Sequence, residues 1–563
     1  MRILLFFYIL MLALAPSARG QAQPSPPEIL GEGAVLERPL GPSDASDFTV
    51  RLTGGMSVLL SVQQLGVDVV VEIRAPDGTL LQAVDSPTGR TGDERVEIFA
   101  NQSGAYGVRV RPYSTGEPQG RYRLTVLELR DARATATLLA ARARERDAAA
   151  TWLRQRAARL PDEIVGSLPP LDELASHARI IALGEATHGS REIGDLRFTV
   201  TRYLVQRHRV RLIAIEYSAS RLGILNSWAL GGPVKDADAQ RALNSGWIGR
   251  RTLGDLVRWL RAWNTKHPGG RVRLVGVDPQ DSERARADLL AVLSAAYGDS
   301  GVDGLDSAIH EIAVADSQAW VFGDSRISAA TYRTLVEVAA RLDSDAPLLV
   351  RQLGPDAVVA ARDAARQLVQ FADFNAEGRS IRSRDWYMAA NLLRAIDAAP
   401  AGTRAVFWTH NAHASLATDR APQARTSGTF LRDALGCDYR ALATSFGEGA
   451  FVAQRPNDPR DRLEVSSLPP APLETIDGVM GSVYGAGAVA TWSCDPRPSD
   501  VPPWLQRAQP LHWVGGIFEP GSLPAEAFRP FDLVDDFDGI FYLPKVTADQ
   551  IFTDRPVIPA RRR

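Results

Sequence analysis

Two short strings in the sequence place histidines beside residues that could act with them in catalysis. Glu185 and His188 occur in Leu-Gly-Glu-Ala-Thr-His-Gly, and His410 and His413 occur in Thr-His-Asn-Ala-His. Three residues apart at the start of a helix, Glu185 and His188 would lie on one helical face. An imidazole with a pKa of about 6.5 can take a proton from water at neutral pH, and a neighbouring carboxylate can orient the ring. These residue types therefore indicate activation of water for attack on an ester carbonyl.

The elements that must position these residues are predicted strands that end in polar side chains. Short continuous apolar runs are typical of strands buried on both faces of a sheet. Open α/β sheets bind ligands beyond the carboxyl ends of their strands, so we expect the polar residues to converge there. The predicted strands are 180–183 before Glu185, 212–215 before Glu216, 272–277 before Asp278 and 405–409 before His410.

Simpler interpretations exist for both strings. A Glu-x-x-His sequence is often a solvated helical turn, and a histidine pair can fix a crevice by hydrogen bonding without chemistry. The chain has only eight histidines, however, and His188, His410 and His413 follow two predicted core strands. This distribution favours a site over a solvated turn.

Several other catalytic systems leave sequence signatures that this chain lacks. The sequence contains no Gly-x-Ser-x-Gly elbow, no P-loop, no Gly-x-Gly-x-x-Gly after a strand and no His-Glu-x-x-His. The nearest approach to an elbow, residues 443–447, leads into strand-like sequence instead of a helix. Acids and imidazoles around a crevice remain as the candidate chemistry.

Length and charge limit the classes of partner. A chain of 563 residues is expected to form two or three domains. The formal charge of −2 gives no basic surface for nucleic acid. Residues 1–15 carry one positive charge and an apolar run, and small residues follow within 16–22. This pattern is typical of a secretory signal peptide over residues 1–22, with a retained anchor as the alternative. We expect an exported protein, periplasmic or extracellular, without stable membrane insertion after cleavage.

Sequence pattern divides the rest of the chain into four parts. Residues 23–34 are predicted to be a linker, and 35–129 show short runs of period two that favour a small β-sandwich. Residues 130–170 are predicted to form a helical connector. Residues 171–563 alternate between strand and helix, which predicts an α/β domain with a mainly parallel sheet flanked by helices.

Three further features belong to the predicted α/β domain. Residues 283–399 read as a long helical insertion without strands, and Asp538–Leu543 as a final strand. The segment 456–531, rich in Pro and Gly, is interpreted as a lid or as a surface loop packed by its own aromatic residues. Cys437 and Cys494 could form one disulfide in an oxidising compartment or remain two buried thiols.

The β-rich segment resembles accessory domains of the pre-peptidase C-terminal type. The resemblance rests on an Asp-Phe, Asp-Gly-Thr and Ser-Gly-x-Tyr rhythm within residues 35–129. It implies a structural module or one that contacts carbohydrate.

The α/β segment resembles the erythromycin esterase family over about residues 175–455 and again at 538–544. The motifs that carry the resemblance are Leu-Gly-Glu-Ala-Thr-His-Gly at 183–189, the Ile-Glu strand end at 215–216, Gly-Val-Asp-Pro-Gln at 276–280, Arg-Asp-x-Tyr-Met at 384–388, Thr-His-Asn-Ala-His at 409–413 and Ala-Thr-Ser-Phe-Gly at 443–447. The resemblance implies a hydrolase of a small-molecule ester or lactone that requires no cofactor.

Roles follow from that resemblance residue by residue. It makes His188 the general base, oriented by Glu185, with Arg197 placed to steady a developing oxyanion. The remaining implied residues are Glu216 as a second carboxylate, His410 and His413 as acids toward the leaving oxygen or as substrate contacts, and Asp278 and Asn411 as substrate-binding residues. Trp247 is also predicted to bind substrate, but its stretch, residues 246–251, departs from the aromatic-rich pattern of the family and alters the substrate wall.

Two other functions stay open from the sequence. A divalent metal between Glu185, His188, Glu216 and the late histidine pair would give a metal-dependent hydrolase or peptidase, because Glu and His are zinc ligands. In the second, the protein is a non-catalytic envelope binding protein whose β-sandwich makes the contacts.

Overall fold

The structure is a computed structural model that describes residues 27–85, 89–161, 163–164, 166–244, 250–298, 303–322, 326–376, 383–417, 425–455, 463–519, 527–550 and 557–558. The predicted signal peptide, residues 1–22, lies outside these ranges. The chain forms two compact units, Met1–Leu139 and Ala140–Arg563.

The first unit consists of short antiparallel strands in two sheets. The strands are β1 (Glu28–Leu30), β2 (Val35–Leu40), β3 (Ser46–Leu52), β4 (Ser57–Leu65), β5 (Val69–Arg74), β6 (Leu80–Val84), β7 (Asp93–Phe99), β8 (Gly104–Pro112) and β9 (Gly120–Arg130). One sheet has the order β1-β3-β8-β5-β6, in which β1 pairs parallel with β3, and the other has the order β2-β9-β4-β7. Alternate side chains of both sheets, such as Tyr106 and Val108 of β8 and Tyr122 of β9, enter one hydrophobic cluster. β1 lies within the residues predicted to be a linker.

The second unit has a mixed α/β fold. Its strands are β10 (Ala157–Arg159), β11 (Ile180–Glu185), β12 (Val210–Ser218), β13 (Arg273–Asp278), β14 (Arg404–His410), β15 (Tyr439–Gln454), β16 (Leu463–Leu468), β17 (Ala488–Thr491), β18 (Gln509–His512), β19 (Phe528–Phe531), β20 (Gly539–Val546) and β21 (Val557–Ile558). The helices, starting with the one that contains the boundary between the units, are α1 (Ala132–Arg156), α2 (Pro169–His177), α3 (Arg191–Arg207), α4 (Ala219–Ala229), α5 (Asp236–Asn244), α6 (Arg250–Lys266), α7 (Glu283–Tyr297), α8 (Leu305–Phe322), α9 (Ala329–Ser344), α10 (Ala346–Leu353), α11 (Pro355–Phe374), α12 (Arg384–Asp397), α13 (Asn411–Ala414), α14 (Ser427–Leu435), α15 (Ile476–Val483) and α16 (Leu533–Asp536).

The central sheet has the order β10-β17-β20-β15-β11-β14-β12-β13. The pairs from β20 to β13 are parallel, whereas β17 pairs antiparallel with both β10 and β20. Successive residues of β11 enter different clusters: Ile180 and Ala182 pack in one and Ile181 and Leu183 in the other. The sheet is therefore covered on both faces, which explains the continuous apolar runs in the sequence.

Some sequence predictions need correction here. The segment 456–531 is not simply a lid or a surface loop, because it supplies β17 to the central sheet. The predicted connector likewise supplies β10. By contrast, the described residues within 283–399 contain helices α7 to α12 and no strand, as predicted.

Two further features concern the cysteines and the helices. Cys437 and Cys494 form a disulfide with their Cα atoms 6.0 Å apart, which decides between the two alternatives left by the sequence. Among the described residues, none of the helices combines the length and apolar character needed to cross a membrane.

Candidate active site

The carboxyl ends of four neighbouring strands carry the polar residues predicted from the sequence. Glu185 ends β11, Glu216 is near the end of β12, Asp278 ends β13 and His410 ends β14. Because β11, β14, β12 and β13 are adjacent and parallel, these residues share one edge of the sheet. Glu185 is directly opposite His410 in the register.

Glu185 forms a buried couple with His188 and Arg197. One carboxylate oxygen accepts a hydrogen bond from His188 Nδ1 at 2.7 Å, and the other contacts Arg197 Nη2 at 2.6 Å. Glu185 is 6% exposed, so the interpretation as a solvated turn is wrong. With Nδ1–H donated to Glu185, the lone pair of the neutral His188 ring is on Nε2.

The sequence suggested that helical spacing brings Glu185 and His188 together, but the structure shows a different cause. Glu185 is the last residue of β11, and α3 begins only at Arg191, so His188 lies in the connecting loop. Backbone contacts hold this loop: the Gly189 carbonyl accepts from Val452 N at 3.1 Å and from Asp549 N at 2.9 Å. A Cβ at Gly189 would clash with the backbone of Val452, so only glycine fits directly after His188.

Arg197 extends from α3 and is 8% exposed. Its guanidinium lies 4.8 Å from the ring centre of Trp408, a residue of β14. Since the side chain contacts Glu185, it supplies the counter-charge for this buried carboxylate. Its role toward an oxyanion stays a prediction.

Arg384, the first residue of α12, connects the ends of β12, β13 and α13. It contacts Asp278 at 2.6 and 2.9 Å and Glu216 at 2.7 Å. Its Nη1 lies 3.0 Å from His413 Nε2, which is itself 3.5 Å from a Glu216 oxygen. Burial opposes its charge, but Asp278 and Glu216 raise its pKa far above the usual range. Sequence reasoning gave Arg384 no role in the site, although it opens one of the motifs that carried the family resemblance.

His413 is held by Asp385, a second residue that sequence reasoning missed. Its Nδ1 donates to the Asp385 carboxylate at 2.8 Å, and the same oxygen accepts the backbone N–H of Ser427 at 2.7 Å. Burial opposes protonation of His413, but Asp385 and Glu216 outweigh it and raise its pKa. His413 is thus a second imidazole oriented by a carboxylate.

Glu216 receives contacts from both sides of the site. One oxygen contacts Arg384, and the other accepts from Thr409 Oγ1 at 2.7 Å and His410 N at 2.9 Å. Burial opposes its ionisation, but His413, Arg384 and His188 hold its pKa well below the usual range. Glu216 is therefore an ionised carboxylate that links the two histidine systems electrostatically.

His410 lies between those two systems and is 3% exposed. Its ring centre is 5.2 Å from that of His188 and 5.0 Å from that of Trp513, whose ring stands edge-on. Burial and the nearby His188 place its pKa well below the usual range. The structure thus brings together His188, His410 and His413, and it adds Trp513 to the residues that the sequence indicated.

The three predicted substrate-binding residues have different outcomes. Asn411 is fully buried, and its amide bonds the backbone N–H and carbonyl of Thr444 at 3.0 and 2.8 Å. This gives Asn411 a structural role and corrects its predicted contact with substrate. Asp278 is engaged by Arg384, so it positions that guanidinium. Trp247 lies outside the described residues.

The acids of the site are paired with guanidinium groups. Glu185 contacts Arg197, and Glu216 contacts Arg384. Within the described part of the chain, no group of three or more His, Cys, Asp or Glu side chains is arranged to hold a metal ion.

Comparison with known proteins decides the family. The model of the erythromycin esterase family matches residues 205–546, which is more than half of the chain. The chain belongs to the erythromycin esterase family. This confirms the resemblance seen in the sequence and assigns the protein to a family of ester hydrolases. The matched range begins after Glu185, His188 and Arg197 and includes His410 and His413.

Two curated relatives support membership in the erythromycin esterase family. The chain is 23% identical over 321 residues to erythromycin esterase type II of Escherichia coli, covering 53% of this chain and 75% of the relative. It is 24% identical over 283 residues to erythromycin esterase type I of Escherichia coli, covering 47% and 68%. A crystal structure from Bacillus cereus shares the fold, with a TM-score of 0.55, 20% identity and coverage of 72% of this chain and 99% of that chain.

Proposed function

We propose that this protein hydrolyses an ester or lactone of a small molecule, with His188 as the general base that deprotonates water. The observation that carries the proposal is the 2.7 Å hydrogen bond between His188 Nδ1 and the buried carboxylate of Glu185. That bond leaves Nε2 as the basic nitrogen and stabilises the imidazolium that forms when water is deprotonated. The hydroxide oxygen then bonds to the substrate carbonyl carbon, so no acyl-enzyme is needed.

His413 is suited to the second half of the reaction. Its raised pKa favours the imidazolium, which can give a proton to the leaving oxygen as the ester bond breaks. His188 afterwards releases its proton to solvent and His413 takes one up, which restores the starting state. Asp385 keeps the ring of His413 in one orientation throughout.

We propose that the reaction needs no metal. A metal ion between the acids would have to replace the contacts Arg197–Glu185 and Arg384–Glu216, because these guanidinium groups already neutralise the carboxylates. The proposed substrate class includes macrolactones, since both curated relatives are named as erythromycin esterases. The disulfide between Cys437 and Cys494 supports export to an oxidising compartment.

The test is a hydrolysis screen of the purified mature protein on p-nitrophenyl esters, simple lactones and macrolides, with and without a chelator. The proposal predicts turnover that the chelator leaves unchanged. Activity that disappears with chelation and returns with added zinc would favour the metal-dependent hydrolase instead. Binding of these compounds without turnover, unaffected by His188→Ala, would favour the non-catalytic binding protein.

A further inference from the structure

The ring of His410 has a defined tautomer. Its Nδ1 accepts a hydrogen bond from the backbone N–H of Ala412 at 3.2 Å, which makes His410 the N-cap of α13. A ring nitrogen that accepts a hydrogen bond carries no proton. The neutral ring of His410 therefore carries its proton on Nε2.

That Nε2–H group has no acceptor among the described residues, although it is buried. The carbonyl of Ala186 lies near the ring and favours its protonated form, but it lies outside hydrogen-bonding geometry for Nε2 and already accepts the backbone N–H of Val514 at 2.8 Å. Buried polar groups in proteins are nearly always paired. An unpaired donor in an active site is thus available to an atom of the substrate.

The surroundings keep this donor neutral and close to the proposed base. The ring of His410 is 5.2 Å from that of His188, and the edge-on Trp513 covers it at 5.0 Å. Burial, His188 and His413 disfavour a second proton on the ring and outweigh the ionised Glu216. A ring that does not take up a second proton at neutral pH is a poor general acid but a good hydrogen-bond donor.

We propose that His410 Nε2–H donates a hydrogen bond to the carbonyl oxygen of the substrate and stabilises the oxyanion. This inference rests on the proposed hydrolase function. His188 takes a proton from water, the hydroxide oxygen bonds to the carbonyl carbon, and the π electron pair moves to the oxygen held by His410. When this electron pair re-forms the C=O bond, the ester C–O bond breaks and the leaving oxygen takes its proton from His413. His410 keeps its own proton throughout.

The role of His410 differs from the two roles considered from the sequence. A leaving-group acid must lose a proton in each turnover, and this role suits His413 better because its charged form is favoured. Arg197, the oxyanion donor suggested by the sequence, uses its Nη2 in the ion pair with Glu185 at 2.6 Å, and its buried Nε also lacks a hydrogen-bond partner among the described residues. The Nε2–H of His410, by contrast, belongs to a ring that neither forms an ion pair nor loses a proton in the proposed reaction.

The test is a comparison of leaving groups with p-nitrophenyl acetate and ethyl acetate as probes. An oxyanion donor acts on the carbonyl, so His410→Phe should lower kcat on both esters by a similar factor of roughly 10² to 10³. The loss in His413→Phe should be far larger for ethyl acetate, because p-nitrophenolate leaves without a proton. A loss in His410→Phe that is confined to ethyl acetate, or no loss on either ester, would overturn the proposal.

His512 provides a matched control. It is also a buried histidine whose Nε2 lacks a partner among the described residues, but it stacks between Phe446 and Phe528 at 4.0 and 4.2 Å. His512→Phe should leave kcat on each of the two esters close to that of the wild type. If the proposed function itself fails, the wild-type protein hydrolyses neither ester, whereas a failure of the His410 role alone leaves wild-type turnover and its dependence on His188 intact.

A measurement on the unmodified enzyme covers the case in which His410→Phe does not fold. Histidine labelled with ¹⁵N reports which ring nitrogen carries the proton. The proposal requires His410 to show a protonated Nε2 and a bare Nδ1 from pH 6 to pH 8. The opposite tautomer, or a ring that becomes fully charged in this range, would refute it.

Discussion

Arg384 is predicted to contribute more to stability than any surface ion pair of this protein. It contacts two carboxylates whose side chains are only 9% exposed, Glu216 at 2.7 Å and Asp278 at 2.6 Å. Arg384→Met removes the guanidinium and leaves both acids buried without that counter-charge. Removal of one partner from a buried ion pair costs about 3–5 kcal/mol of unfolding free energy. Because the Arg384 side chain is 22% exposed, we expect a loss near the lower limit, about 3 kcal/mol.

The assay is urea denaturation followed by tryptophan fluorescence at pH 8 and pH 5.5. In wild-type protein Glu216 has a depressed pKa, so its contribution is present at both pH values and is lost only as pH falls through that depressed value. In Arg384→Met the two carboxylates lack the guanidinium and gain from taking up protons, so the loss of unfolding free energy should be smaller at pH 5.5 than at pH 8. Arg258→Met is the control: Arg258 and its partner Asp255 are 58% and 37% exposed, which predicts a loss below about 1 kcal/mol. An equally small loss for Arg384→Met at both pH values would refute the reasoning.

Three further predictions concern the loop of the base, the orientation of His413 and the buried His410. Gly189→Ala should lower kcat at least about tenfold by displacing the loop, whereas Gly223→Ala, where a Cβ meets no atom within 4 Å, should leave kcat unchanged in the same ester assay. Asp385→Asn should shift the alkaline limb of the pH–kcat profile to lower pH, because Asp385 raises the pKa of His413; an unshifted profile would contradict this role. His410 has a depressed pKa, so its contribution to stability is present above the unfolded pKa of about 6.5 and is lost as pH falls. Between pH 7.5 and pH 5.5 the unfolding free energy measured with urea should fall by about 1.4 kcal/mol less in His410→Phe than in wild type. An equal fall in both proteins would contradict the prediction.

The sequence identified the parts of the site that depend on local pattern. Continuous apolar runs followed by Glu185, Glu216, Asp278 and His410 predicted the strands and the edge at which these residues meet. The reason inferred for the contact between Glu185 and His188 was nevertheless wrong, because the loop before α3 brings them together instead of a helical turn. The residue types at the strand ends predicted the shared edge of the sheet correctly, although the predicted local geometry of Glu185 and His188 was wrong.

Residues that act through distant contacts could not be found in this way. Arg384 and Asp385 begin the last helix of the insertion, and Arg384 lies 106 residues after Asp278. No periodicity indicates which element the start of that helix contacts. Asn411 stands between two site histidines, but its amide is used by Thr444 from a strand farther along the chain. Trp513 reaches His410 from a segment whose short strands have no clear apolar pattern.

The most direct measurement of the central claim is the hydrolysis of p-nitrophenyl acetate by His188→Ala, with and without imidazole in the buffer. Loss of a general base should lower kcat by roughly two or more orders of magnitude while the urea midpoint stays close to that of wild type. Added imidazole should restore part of the rate, with a dependence on pH that follows the neutral form of imidazole. A rate equal to that of wild type in a folded His188→Ala protein would contradict the assignment of His188 as the base.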